Sequence, residues 1–205
     1  MAGPHENLEH AEHAEHASHG GNKKIALLIS VLALFLAFTE TLGKGAQTES
    51  IGLNIKASDT WNFFQAKTIR QTGIRTAADN LAAIAPSIDK PEVKAAMEKQ
   101  IEAWRATASR YESDPKEKDG RKELREQAES YEHQRDYQLA RYHQFELGSA
   151  AFQIGIVLAS AEVITSMVVL GWLAALSGLI GLVFSGFGLW APHALDFLLH
   201  ASGGH

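Results

Sequence analysis

The chain contains no cysteine, which excludes disulfides, thiolate metal sites and cysteine nucleophiles. Basic residues are absent from residues 1–22 and form no cluster elsewhere; the formal net charge is only −5. The electrostatic footprint of a nucleic-acid binder is therefore missing. Catalytic patterns are missing too: there is no glycine-rich phosphate loop, no Ser/His/Asp arrangement with supporting turns and no HExxH. His133 and His143 stand ten residues apart, about 15 Å along one helix and too far to share a ligand. These absences predict a protein that is not an enzyme and carries no cofactor. The most informative scarcity is of charge: residues 147–190 hold one charged side chain, Glu162.

What is present is strongly segregated. Residues 44–146 carry 17 basic and 17 acidic side chains, interspersed as on a solvated helical surface. The apolar residues are gathered on either side. Such segregation predicts an all-α integral membrane protein with three transmembrane helices and a helical, coiled-coil-like extramembrane domain.

Residues 1–22 form a polar tail rich in His and Glu, ended by Gly20-Gly21. Nothing in it buries enough apolar surface to offset chain entropy, so it is expected to be disordered. Lys23-Lys24 introduce an apolar run from Ile25 to Phe38, and residues 23–44 read as the first span. A cleaved leader is disfavoured by the long acidic tail before the lysines and by the lack of a good small-residue cleavage site. Residues 45–146 alternate helix-forming stretches with stops. Ser58-Asp59 offers an N-cap ahead of a line through Trp61, Phe64, Ile69, Ile74, Ala78, Leu81 and Ile84. Pro86 and Pro91 bracket a turn, with Ser87 or Asp89 as caps. Val93, Met97, Ile101, Trp104, Ala108 and Tyr111 make a two-stranded seam. Ser113-Asp114-Pro115 and Asp119-Gly120 bound a loop. A third helix then starts near Arg121, with Leu124, Ala128, Tyr131, Arg135, Gln138, Tyr142 and Phe145 as its seam and i,i+4 pairs such as Arg125/Glu129 on its surface. Trp61, Phe63, Phe64, Trp104, Tyr131 and Tyr142 are expected to pack between these helices.

Residues 147–190 would extend about 66 Å as one helix, twice a hydrocarbon core of ~30 Å. They must fold back. A turn between Thr165 and Gly171 gives helices near 147–166 and 172–190, the second flanked by Trp172 and Trp190 about 27 Å apart, where aromatic belts lie. Residues 191–205 form a short amphipathic tail suited to the interface.

The His/Glu-rich leader, the segment Ala57-Ser58-Asp59-Thr60-Trp61-Asn62-Phe63-Phe64-Gln65-Ala66-Lys67, the charged hairpin and the paired apolar C-terminus together resemble a bacterial membrane-protein family, domain of unknown function 4337. Trp-Asn-Phe-Phe-Gln-Ala-Lys is the most specific part. The resemblance implies no reaction, cofactor or catalytic residue. Similar proteins often carry basic residues in the turn of the C-terminal hairpin; this chain has none there.

Three features invite function. His10, His13, His16 and His19 recur every third residue, a spacing that on a helix brings neighbours to one ion, with Glu side chains between them. No closed coordination geometry is imposed, so no metal site is assigned, and these four remain the weak candidates. Glu40 and Glu162 are intramembrane polar residues; both lie near span ends, where Glu162 can snorkel or bond Thr165 and Ser166 and Glu40 can approach Lys44. Ala151, Gly155 and Ala159 form one smooth helix-packing face, and Ser177, Gly181 and Ser185 another. They serve first to pack the two helices of one chain on each other.

The expected function is a non-catalytic scaffold or accessory subunit whose partners are the lipid bilayer and either further copies of itself or a larger membrane complex. The alternative is a metal-responsive or ion-handling protein using the histidines and Glu162. Lys23-Lys24 beside the first span favour a cytoplasmic N-terminus in the cell inner membrane and a periplasmic helical domain.

Overall fold

The computed structural model describes the backbone of residues 4–193 and the side chains of residues 23–193. It is all-α, with no strand among the described residues. Helix α1 runs Pro4–Ile84 and leads through a 3-10 turn, Ala85–Ser87, to α2, Pro91–Glu112; α3 spans Arg121–Thr165 and α4 spans Val168–Trp190. The chain divides into two compact units, residues 1–49 with 137–205 and residues 50–136.

The backbone of α1 is helical from Pro4. One expectation about this helix is corrected. Ser58-Asp59 caps nothing, because the helix passes through it without a break. The physical reason is the lack of any proline between Pro4 and Pro86. Once a helix is nucleated, each further residue adds a hydrogen bond, and a Ser or Asp in the interior costs only tenths of a kcal/mol.

The other stops behave as their chemistry dictates. Pro91 opens α2 at its first turn, although the cap is Lys90 in extended geometry, without a side-chain cap bond, and not Ser87 or Asp89. Phe145 and Leu147 lie in one uninterrupted helix. The fold-back after α3 is tighter than expected, only Ser166 and Met167, so α4 begins at Val168 and Trp172 falls inside it. Ser166 adopts a left-handed φ of 58°, and its amide donates to the Glu162 carbonyl at 2.8 Å. A left-handed residue at a helix C-terminus is the usual way to end one.

In the unit made of residues 1–49 and 137–205, large side chains on one helix fill spaces left by glycines on another. Phe152 is fully buried over Gly181, and Phe145 over Gly188. Phe35 stacks on Phe152 at 6.0 Å between ring centres. Leu32, buried on α1, fits against Gly155 of α3 and Gly178 of α4. Hydroxyls add cross-links: Ser177 Oγ donates to the Ala151 carbonyl at 2.7 Å, and Thr39 and Ser185 share a hydrogen bond of 3.0 Å. The opposite faces are apolar and bare, with Leu27, Phe38, Val157, Ile164, Val168 and Leu179 all more than half exposed.

In residues 50–136, Ala78 and Ala85 pack on Ile101, with Leu81, Met97 and Trp104 around them. The predicted seams of α2 and α3 lie inward at Ile101, Ala108, Leu124 and Ala128, all buried. Val93 departs from its seam and is exposed. On α1 the predicted line is out of phase at Ile69 and Ile84, which face outward at 73% and 54% exposure. The inward line is Phe64, Lys67, Gln71, Ile74, Ala78, Leu81 and Ala85, which keeps the alternating three-and-four spacing of a seam.

Candidate functional site

The polar members of that inward line create the most elaborate side-chain constellation among the described residues. Lys67 is buried, and its Nζ pairs with Asp119 Oδ2 at 2.6 Å. The same ammonium lies over the rings of Tyr111, at 5.0 Å, and Phe63, at 5.5 Å. One turn on, Gln71 Nε2 donates to the Ala108 carbonyl at 3.0 Å and to Glu112 Oε2 at 2.7 Å. Gln71 Oε1 in turn accepts from Arg121 at 2.6 Å, and Arg121 also reaches Thr68 Oγ1 at 2.9 Å and Glu112 at 2.9 Å. The Arg121 guanidinium sits over the Phe64 ring at 5.1 Å. Farther down, Trp61 Nε1 donates to Glu132 Oε1 at 2.9 Å.

The loop between α2 and α3 is held by the same logic. Glu123, in the first turn of α3, accepts from Ser113 Oγ at 2.5 Å and from the Asp114 amide at 3.2 Å. Gly120 makes this possible: a Cβ there would lie 2.5 Å from the Asp114 amide nitrogen and 2.7 Å from Ser113 Cα. The hydrogen bond from Gln71 holds the Glu112 carboxyl below its ordinary range, partly opposed by burial and helped by the charges of Arg121 and Arg75. The Glu123 carboxyl is lowered chiefly by the bond from Ser113.

Trp61, Phe64 and Lys67 all belong to the segment singled out in the sequence, and their partners are now plain. They grip α3 and the loop before it. Sequence reasoning missed Lys67 and Gln71 as inward residues because polar side chains at seam positions read as surface. The available signal was the spacing, which stays regular only if they are included.

In the other unit, the small-residue positions meet within the chain. Ala151, Gly155, Ala159 and Gly181 are buried and Ser177 and Ser185 half-buried; Ser177 binds Ala151, and Gly155 lies against the Ala174 carbonyl. Glu40 and Glu162 line different cavities. Glu40 borders a groove of about 390 Å³ with Lys44, Gln47, Tyr142, Glu146 and Gln153, and accepts from Gln153 Nε2 at 3.4 Å. Glu162 does not bond Thr165 as expected. The Thr165 hydroxyl instead donates to the Ala161 carbonyl at 2.8 Å, and Glu162 Oε2 is buried without a hydrogen-bond partner.

Among the described residues no group of three or more His, Asp or Glu could hold a metal ion. The side chains of His10, His13, His16 and His19, and the amphipathic segment after residue 193, lie outside the described residues.

Fold and site together define an all-α chain with three helices long and apolar enough to cross a membrane: the first within Lys23–Ser87, the second within Arg121–Thr165, the third Val168–Trp190. A family model described as Domain of unknown function (DUF4337) matches residues 21–191, and the chain belongs to that family. No curated protein and no solved structure matches the chain.

Proposed function

We propose that this chain is a non-catalytic membrane scaffold or accessory subunit that self-associates or joins a larger membrane complex. Three spans seat it in the cell inner membrane, with Lys23-Lys24 on the cytoplasmic side and the helical domain periplasmic. The observation that carries this reading is the state of the polar groups in residues 50–136. None of the buried side-chain polar atoms described there lacks a partner. Lys67, Gln71, Glu112, Asp119, Arg121 and Glu123 are all engaged with one another or with the backbone, so they lock three helices together instead of converging on an open site. A fully satisfied polar network of this sort specifies one arrangement of its helices.

The small-residue faces are occupied inside the chain, which leaves other surface for association. On α1, beyond the apolar run of the first span, Ile51 and Ile55 stand one turn apart at 57% and 56% exposure and make an apolar stripe. Crosslinking in native membranes, followed by mass measurement of the full chain in nanodiscs, tests the proposal. Crosslinked copies or a constant set of partners are expected, weakened by Ile55→Arg. A strict monomer with no crosslinked neighbour refutes it. Deleting residues 1–22 separates the metal-responsive alternative, since unchanged assembly and unchanged metal content leave the scaffold reading alone.

A further inference from the structure

Glu162 has no task in the packing described so far. It is 7% exposed, its Oε2 has no hydrogen-bond partner, and no ion pair joins it to Lys24 nearby. Leaving a carboxyl buried and unpartnered costs several kcal/mol, and native structures seldom tolerate it. The chain nevertheless makes room for this one. The carboxyl lies flat on Gly171, where any Cβ would run into it. A helical glycine costs about 1 kcal/mol relative to alanine, so the space is kept against propensity.

The carboxyl borders a cavity of about 190 Å³ lined also by Lys24, Leu28, Val168, Gly171 and Trp172. These residues come from the start of the apolar run of α1, the last turn of α3 and the first turns of α4. In a bilayer that is the level of the headgroups, where Trp172, 75% exposed, is the residue type expected. The chemistry of the lining is mixed. It offers one acid that lacks a donor, one ammonium, and the start of α4, whose cap residue Met167 makes no side-chain bond. A bare metal ion is poorly served by a single carboxylate. A ligand carrying both an ammonium and a phosphate answers every group: the ammonium donates to Glu162, and the phosphate faces Lys24 and the uncapped amides of α4.

We propose that this cavity binds the headgroup of a phospholipid bearing a primary amine, of which phosphatidylethanolamine is the simplest. The choline headgroup has no N–H to donate, and the glycerol headgroup has no cation. The proposal rests on reading the three helices as membrane spans, and its test is separable from that reading.

The full-length chain, purified in mild detergent and stripped of lipid, is titrated with short-chain phosphatidylethanolamine, phosphatidylcholine and phosphatidylglycerol. Bound lipid is counted by native mass spectrometry. Phosphatidylethanolamine should bind about tenfold more tightly than the other two, the scale of one charge-assisted hydrogen bond. Glu162→Gln should abolish that preference, and Gly171→Ala should weaken it while retaining the acid. Equal affinity of the unaltered protein for all three lipids overturns the proposal whatever the variants do. So does full preference in Glu162→Gln, or equally tight binding of soluble phosphoethanolamine, which would remove the lipid as the source. Failure of the span reading shows elsewhere, as release of the protein by carbonate washing of membranes.

Discussion

Lys67 shows how one side chain can decide whether a helix face is inside or outside. Its side chain is 8% exposed, whereas that of its partner Asp119 is 40% exposed. The two halves of this ion pair are therefore unequal. Removing the carboxylate strands a buried ammonium, while removing the ammonium leaves a carboxylate that water can still reach. Asp119→Ala should destabilise the helical unit by about 1–3 kcal/mol, and Lys67→Met, which keeps an unbranched apolar side chain in the buried position, by markedly less. Thermal unfolding of both variants in the same detergent checks the order; equal losses would overturn the asymmetry between the two halves of the pair. A second residue-scale prediction concerns the fold-back. Ser166 holds a left-handed φ of 58°, a conformation that glycine adopts without a Cβ penalty. Ser166→Gly should raise stability by about 0.5–1 kcal/mol, seen as a higher melting temperature.

At the scale of the element, glycine has opposite values at different points of these long helices. Nothing lies within 4 Å of a Cβ built on Gly45, whereas one on Gly181 would meet three ring carbons of Phe152 at 2.8–2.9 Å. Phe152 is fully buried and cannot swing away. Gly45→Ala should therefore stabilise by up to about 1 kcal/mol, and Gly181→Ala should destabilise by about 1–3 kcal/mol, again by thermal unfolding. The junction of α2 with α3 carries a pH dependence. Glu112 and Glu123 both have carboxyls lowered in the folded chain, by the bonds from Gln71 and Ser113 respectively. A carboxylate lowered on folding adds stability above its unfolded value, and that stability is lost as pH falls through the folded one. The helical unit should hold steady from neutral pH down to the ordinary carboxylate range and loosen below it. Hydrogen exchange at the loop amides reads this directly. Glu112→Gln with Glu123→Gln should flatten the dependence; a profile unchanged in the double variant would assign it to other groups.

For the whole molecule, the question is what solvent covers it. Phe38, Ile164, Val168, Trp172 and Trp190 are all more than 60% exposed, and a water-soluble chain has no means of covering so much bare apolar surface by itself. The protein should stay with the membrane pellet through carbonate washing and need detergent for release. Recovery in the aqueous fraction would remove the spans and the headgroup site together. The charge lock in residues 50–136 behaves differently, because its members satisfy one another and need no lipid.

Several features were legible in the sequence because their causes are local. The apolar runs, the punctuation at Pro86, Pro91 and Pro115, the start of α3 near Arg121 and its passage without a break beyond Phe145 all follow from which residues stand next to one another. Hydrophobic patterning and missing amide donors act within a few residues, whatever the chain does elsewhere. Other features waited for the tertiary structure. Ser58-Asp59 has cap chemistry, but it lies inside a helix already running. Lys67 and Gln71 turn inward only because Asp119, Ala108 and Glu112 arrive from distant parts of the chain to meet them. Glu162 looked like an acid that would bond its neighbours; instead its carboxyl packs against Gly171, the Thr165 hydroxyl turns to the Ala161 carbonyl, and Oε2 finds no partner. A polar side chain goes inside or outside according to its partners, and partners far away in sequence exist only once the helices have packed.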